Sequence, residues 1–270
     1  LNIIKKSLLI GFLITPLTLS CGAEIFGATC WNLVWSDEFN GTSINTANWG
    51  YDTGCNAFGN NEWENYTSSP TNSYVSGGNL VINAAQTGSG QCGYTSARLT
   101  TYNKVHFTYG RIEARIKAPY GQGIWPAFWM LGENINTSPW PACGEIDIME
   151  MIGGGSGKDN VNYGTGHWLN GSATQSGSST SVTWPAKLAD DFHVYSIEWN
   201  ATTITWYFDG TAYYTLDTTA ASMSAFQGKD FYIIFNVAVG GTWPGNPDGT
   251  TVFPQQMLVD YVRWYQQVVC

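Results

Sequence analysis

Three acidic residues fall within six positions of the stretch GEIDIMEMIG: Glu145, Asp147 and Glu150. Their neighbours are apolar, and charged residues make up only 11% of the chain, so the cluster stands out. Carboxylates are costly to bury in such company. Two carboxyl groups flanking a glycosidic bond can divide the work of nucleophile and general acid. Their mutual repulsion raises the pKa of at least one of them, which keeps a proton on the acid near neutral pH. A calcium site or a solvated acidic edge would use the same residue types. Ile146 and Ile148 weigh against calcium, because they imply a strand and calcium sites are usually loops with closely spaced oxygen ligands.

A strand has a period of two, so Glu145 and Asp147 share one face while Ile146 and Ile148 share the other. Glu150 has the wrong parity and would join the isoleucines in the core. An unpaired carboxylate there would cost about 3 kcal/mol or more. One extra residue near Met149, a β-bulge, would return Glu150 to the face of the other two. With the bulge, the Cα atoms of Glu145 and Glu150 are roughly 13 Å apart, at ~3.3 Å per strand residue. Side chains leaning toward a sugar could then approach the ~5.5 Å separation of a retaining glycosidase.

The rest of the chain must supply the sheet. GRIEARIKAP alternates strictly, with Arg111, Glu113, Arg115 and Lys117 opposite Ile112, Ala114 and Ile116. HVYSIEWN and TITWYFDG form a hairpin pair around Asn200 and Ala201. FYIIFNVAVGG is nearly all apolar, as for a strand covered on both faces, and MLVDYVRWYQQ alternates again. Gly, Asn, Ser and Thr clusters separate these runs, and the stretch 171–183 is expected to be one surface loop. No helical period or internal repeat is present. The expected fold is all-β: a β-jelly-roll sandwich of two antiparallel sheets.

The chain of 270 residues is long enough for one large all-β domain. Its formal net charge of -9 argues against nucleic acid or an anionic membrane as partner. With 13 Trp, 15 Tyr and 12 Phe it holds more aromatic surface than a core needs. Trp125 and Trp129 are four apart, hence on one strand face, where flat indoles can stack on sugar rings or pack in a core. Trp243 in GGTWPG and Trp140 near Cys143 are further candidate platforms. Asn236 sits in an apolar run, where its amide needs a partner.

Lys5 and Lys6 precede an apolar run from Leu8 to Leu19 that is too short to span a bilayer. LTLSC, ending at Cys21, is close to a bacterial lipoprotein cleavage site, although Thr18 stands where Leu is usual. The expectation is a signal peptide over 1–21, a short linker over 22–29 and a catalytic domain over 30–270. Export would follow, either as a lipoprotein anchored through Cys21 or as a free secreted protein. Two disulfides suit that route: Cys30–Cys270 because domain ends lie close, and Cys55–Cys92 between Gly-rich loops, with Cys143 left as a thiol.

GEIDIME resembles the signature of glycoside hydrolase family 16, in the Glu-x-Asp-x-x-Glu spacing of its laminarinase-like branch. VWSDEFNG, GNNEWENYT, GIWPAFWMLG, WPACGEIDIME, FNVAVGGTWPG and VDYVRWYQ extend the likeness along most of the chain. The resemblance implies Glu145 as nucleophile, Asp147 as its orienting partner and Glu150 as general acid/base. It implies a β-jelly-roll sandwich of two antiparallel sheets with a concave glycan-binding cleft, places Trp125 and Trp129 in that cleft and implies glycone-side contacts from Asn61, Glu62 and Arg98. It sets His167 near the acid/base. It implies a non-catalytic calcium held by Glu38, Gly78 and Asp260, where ordinary strand-edge hydrogen bonds are the competing reading. No cofactor is expected for catalysis. The implied substrate of a monomeric enzyme is a β-1,3-glucan such as laminarin. Mixed-linkage β-1,3-1,4-glucan, agarose or carrageenan on the same scaffold, or a non-catalytic glucan-binding lectin, are the alternatives.

Overall fold

Alternating side chains build seventeen strands in the computed structural model, which describes residues 29–171 and 174–270. The expected signal peptide, Cys21 and nearly all of the linker lie outside the described residues. In chain order the strands are β1 (Thr29–Asp37), β2 (Gly50–Asp52), β3 (Glu64–Tyr66), β4 (Ser73–Ser76), β5 (Asn79–Gln86) and β6 (Tyr94–Ser96). Next come β7 (Arg98–Thr100), β8 (Gly110–Lys117), β9 (Ile124–Gly132), β10 (Glu145–Glu150), β11 (Val161–Asn170) and β12 (Thr174–Thr183). The last are β13 (His193–Trp199), β14 (Thr203–Phe208), β15 (Thr211–Asp217), β16 (Phe231–Val239) and β17 (Gln255–Val269). Two short 3-10 turns are the only helical elements among the described residues.

The strands form two sheets, as the alternation predicts. The larger runs β15-β14-β13-β8-β17-β5-β6-β3, with β1 added on β17 and β4 on β5. The smaller runs β12-β11-β10-β9-β16-β7-β2 and carries the acidic trio. All pairings are antiparallel except β3 with β6. Between the sheets lies one apolar core, where Ile146, Phe128 and Phe235 of the smaller sheet join Ile112, Ile197 and Val262 of the larger. Every residue of β16 is buried, which explains its nearly unbroken apolar sequence.

The stretch 171–183 is not a loop. Thr174–Thr183 is the edge strand β12, paired with β11 through ten consecutive residues. Its Ser, Thr and Gly residues carry no alternation of hydrophobicity, and of its described residues Val182 alone packs against the main core. The ladder alone defines it. Both expected disulfides are present, Cys30–Cys270 and Cys55–Cys92, and Cys143 is a buried thiol.

Candidate active site

The parity conflict at Glu150 is resolved by the bulge. Against β9, Asp147 pairs with Trp129 and Met149 with Phe128, so Ile148 is the surplus residue. Ile148 and Met149 are both buried, and Glu150 turns to the side of Glu145 and Asp147. A bulge leaves backbone groups outside the ladder. Here the carbonyl of Asp147 accepts a hydrogen bond from the Trp206 indole at 2.7 Å, reaching across from β14 in the opposite sheet. Trp206 is fully buried. Replacing it with Phe keeps most of the volume but strips the donor from a buried carbonyl, at a cost of about 1–3 kcal/mol. The expected result of Trp206→Phe is a thermal midpoint a few degrees lower and a reduced kcat, read by circular dichroism melting and a turnover assay.

β10 follows a glycine for a reason. Gly144 has φ +84, and a Cβ there would lie 2.9 Å from the Phe231 ring. The backbone can therefore turn tightly into Glu145. The partner of Glu145 across the ladder is His167 on β11. Its Nε2 lies 3.2 Å from Asp147 Oδ2 and 3.7 Å from Glu145 Oε1. Space for that ring comes from Gly177 on β12, where a Cβ would stand 2.9 Å from His167 Nδ1.

Six strands, from β7 to β12, floor an open cleft of about 1020 Å³. At ~4.8 Å per strand the floor is roughly 24 Å across, room for several sugar units. Trp125 donates to Glu150 Oε1 at 3.0 Å, and Trp140 donates to Glu145 Oε2 at 2.7 Å. Trp129 donates to Asn236 Oδ1 at 2.7 Å. Each of these indoles thus has its N–H fixed while the rings line the cleft. Trp140 and Trp243 are the most open of the four, 45% and 41% exposed. Trp243 stands edge-on to Trp125. The Arg98 guanidinium lies over the Trp129 ring at 4.7 Å and pairs with Asp52.

Glu62 lines the cleft, but Asn61 does not; its neighbour Asn60 does. Asn61 sits in the left-handed region at φ 58 and donates its amide to Thr242 Oγ1. That backbone twist, invisible in the sequence, exchanges the two asparagines. Thr165, Ser179 and Phe58 also line the cleft and were not foreseen, since each comes from a segment with no apolar period.

Burial dominates the electrostatics of the trio. Desolvation and the charge of Asp147 push Glu145 up to about 8. Desolvation and the charge of Glu145 push Glu150 up to about 7. Asp147 is raised well above the carboxylate range by burial and by Glu150. The three groups titrate as one system. Taken singly, Glu145 would hold its proton to higher pH than Glu150. The donors argue for the opposite arrangement: Trp140 reaches Glu145 at 2.7 Å against 3.0 Å for Trp125 to Glu150, and His167 stands nearer Glu145, 3.7 Å away. Negative charge settles where donors converge, so we place it on Glu145 and the proton on Glu150.

These raised values also tie stability to pH. A carboxyl group that holds its proton more tightly when folded stabilises the fold below its unfolded pKa, and that contribution is lost as pH rises through the folded value. The thermal midpoint should fall as pH rises from about 5 to 8, and Glu150→Gln should flatten the slope. A melting series across that range checks it; a midpoint that rises with pH would contradict the assignment.

The donor atoms of Glu145, Asp147 and His167 all lie within 4.8 Å of one another, the one set of three among the described residues that could hold a metal ion. Of the calcium ligands expected at Glu38, Gly78 and Asp260, two have their side chains in ion pairs. Arg263 grips both oxygens of Glu38, at 2.9 and 2.8 Å, and Arg115 donates to Asp260 at 2.7 Å. A cation taking those carboxylate oxygens would compete with two guanidinium groups.

Comparison with known proteins accords with this geometry. The family model for glycosyl hydrolases family 16 matches residues 60–263. The chain is 40% identical to a beta-glucanase of Rhodothermus marinus, covering 88% of this chain and 86% of that one. It is 38% identical to glucan endo-1,3-beta-glucosidase A1 of Niallia circulans, covering 87% of this chain but only 38% of that protein's length. The solved endo-beta-1,3-glucanase of Pyrococcus furiosus superposes with a TM-score of 0.80 at 43% identity, covering 89% of this chain and 96% of that one.

Proposed function

The chain belongs to glycosyl hydrolases family 16, and from that premise we propose that it is a retaining endo-glycosidase cutting internal β-1,3 linkages of laminarin-like β-glucans. The observation that carries this reading is the bulge at Ile148, which sets three carboxyl groups on the floor of one aromatic-lined cleft. The similarity to endo-1,3-β-glucanases supports the linkage. The cleft crosses six strands, wide enough for several sugar units, which favours internal cleavage. Two disulfides favour an oxidising compartment and hence export.

The chemistry is a double displacement. Glu150 gives its proton to the glycosidic oxygen as a Glu145 oxygen bonds to the anomeric carbon and the glycosidic bond breaks. The product is a glycosyl ester on Glu145 and a free leaving sugar. Glu150, now a carboxylate, takes a proton from water as that water attacks the anomeric carbon and releases Glu145. His167 and Asp147 keep the Glu145 side of the trio oriented.

A reducing-sugar assay on laminarin, mixed-linkage glucan, agarose and carrageenan tests the substrate. Laminarin should be cleaved fastest. Preference for another polymer would replace the linkage, and binding without turnover would make the protein a lectin. Proton NMR of fresh laminarin products should show the β-anomer first; the α-anomer first would rule out the covalent intermediate.

A further inference from the structure

A second pair of acids lies beside the cleft. Glu62 is 4% exposed and lines it, while Glu64 on β3 is fully buried behind it. Two carboxylates in a desolvated position cannot both be charged without a large penalty. The donors divide unequally between them. Glu62 accepts from Asn60 Nδ2 at 2.9 Å and from the Tyr66 hydroxyl at 3.3 Å. Glu64 Oε2 accepts the Val239 N–H at 2.6 Å, but its Oε1 is buried with no N–H or O–H to receive. An oxygen in that position is satisfied if it carries a proton itself, and the acceptor within reach is the Glu62 carboxylate.

We propose that Glu64 is a positioning residue, held as the neutral acid, whose proton is donated to Glu62 and fixes that carboxylate at the sugar-binding surface. The link does not end at Glu62. Tyr66, which donates to Glu62, receives the Asn236 amide at 3.0 Å, and Asn236 receives the Trp129 indole. One proton on Glu64 therefore steadies a carboxylate and, through two further groups, a sugar-stacking ring. Glu64 also ties β3 to the end of β16, where the loop bearing Trp243 departs.

Burial and the charge of Glu62 push Glu64 up to about 9, in keeping with a proton held through neutral pH. The surrounding groups offer no competing cation. Glu62 faces it from the preceding turn, and Tyr66 shares its strand. Tyr94 pairs with it on β6, its ring stacked on Trp63. Arg98 on β7 acts on Tyr66 and bonds Asp52 of β2. β16 contributes an amide and a backbone N–H, neither of which titrates.

The role in sugar positioning rests on the glucanase reading; the shared proton does not. Glu64→Gln keeps both functions, since its amide can donate to Glu62 while its oxygen accepts from Val239. Glu64→Leu removes both. The expected kinetics on laminarin are a KM raised roughly 10-fold or more in Glu64→Leu, with a smaller change in kcat, and rescue by Gln. Above about pH 9 the wild type should lose affinity as Glu64 ionises, and Glu64→Gln should not. An activity-free readout accompanies these: the contribution of Glu64 is lost as pH rises from the unfolded carboxylate value to about 9, so between about pH 5 and 9 the wild-type thermal midpoint should fall more steeply than that of Glu64→Gln, and above that the two should run parallel. The proposal is overturned if Gln is as damaging as Leu, which would mean that the charge is needed, or if the wild type and Glu64→Gln show the same fall in midpoint between about pH 5 and 9. Should Glu64→Leu fail to fold, the wild-type and Gln comparison decides alone. Should no β-glucan be cleaved by the wild type, the functional reading fails while the melting series still reports on Glu64.

Discussion

Glu145→Gln should turn over laminarin at a rate lowered by roughly 10⁴-fold or more, the scale on which enzymes lose activity when a nucleophile is removed. Gln is nearly the same shape, and the Trp140 indole that donates to Glu145 at 2.7 Å can donate to an amide oxygen instead. The fold and glucan affinity should therefore persist. An amide is a poor nucleophile and cannot form the glycosyl ester. The double displacement then has no first step. The measurement is single-turnover hydrolysis beside calorimetric binding of a laminari-oligosaccharide. Wild-type turnover in this variant would remove Glu145 from the mechanism. Loss of both binding and turnover would instead point to damage of the cleft.

Glu150→Ala should have the second largest effect, and a more informative one. On laminarin the rate should fall by about 10²–10⁴-fold, the usual range for loss of a general acid–base. On a substrate whose leaving group needs no proton, such as a nitrophenyl glucoside, the first step should be largely spared. The ester on Glu145 would then accumulate, because no base activates water. A small anion such as azide needs no base and should rescue turnover, giving a β-configured glycosyl azide. The alkaline decline in activity should also disappear, since in the wild type Glu150 loses its proton with a pKa of about 7. Failure of azide to rescue, with the alkaline limb intact, would assign the acid elsewhere.

The bulge was legible because it left a contradiction in the sequence. An acid with core parity, two residues past Ile148, demands either a buried charge or an extra backbone unit. The strands with clean alternation, such as β8, were legible for the same reason: one face is wet and the other dry. The edge strand β12 was not, because Ser and Thr suit a loop as well as a solvent-facing strand. Trp206 was unreadable in principle. It lies 59 residues from Asp147, and only the packing of one sheet on the other brings its indole to the bulge. The exchange of Asn60 for Asn61 at the cleft follows from a turn in which Ala57, Phe58, Gly59 and Asn61 all have positive φ. Glu64 shows a further limit. Its spacing from Glu62 was visible, but the inequality of donors that sets which acid holds a proton is tertiary.

The disulfide between Cys30 and Cys270 brings those two Cα atoms within 5.5 Å across a sequence separation of 240. Entry to and exit from the domain therefore share one doorway. Such a unit can be spliced into a larger polypeptide at a point, like a bead threaded on a string, without disturbing what flanks it. New termini opened at an exposed turn such as Asn200–Thr203, with the old ones left stapled, should yield a permuted chain that still assembles its cleft.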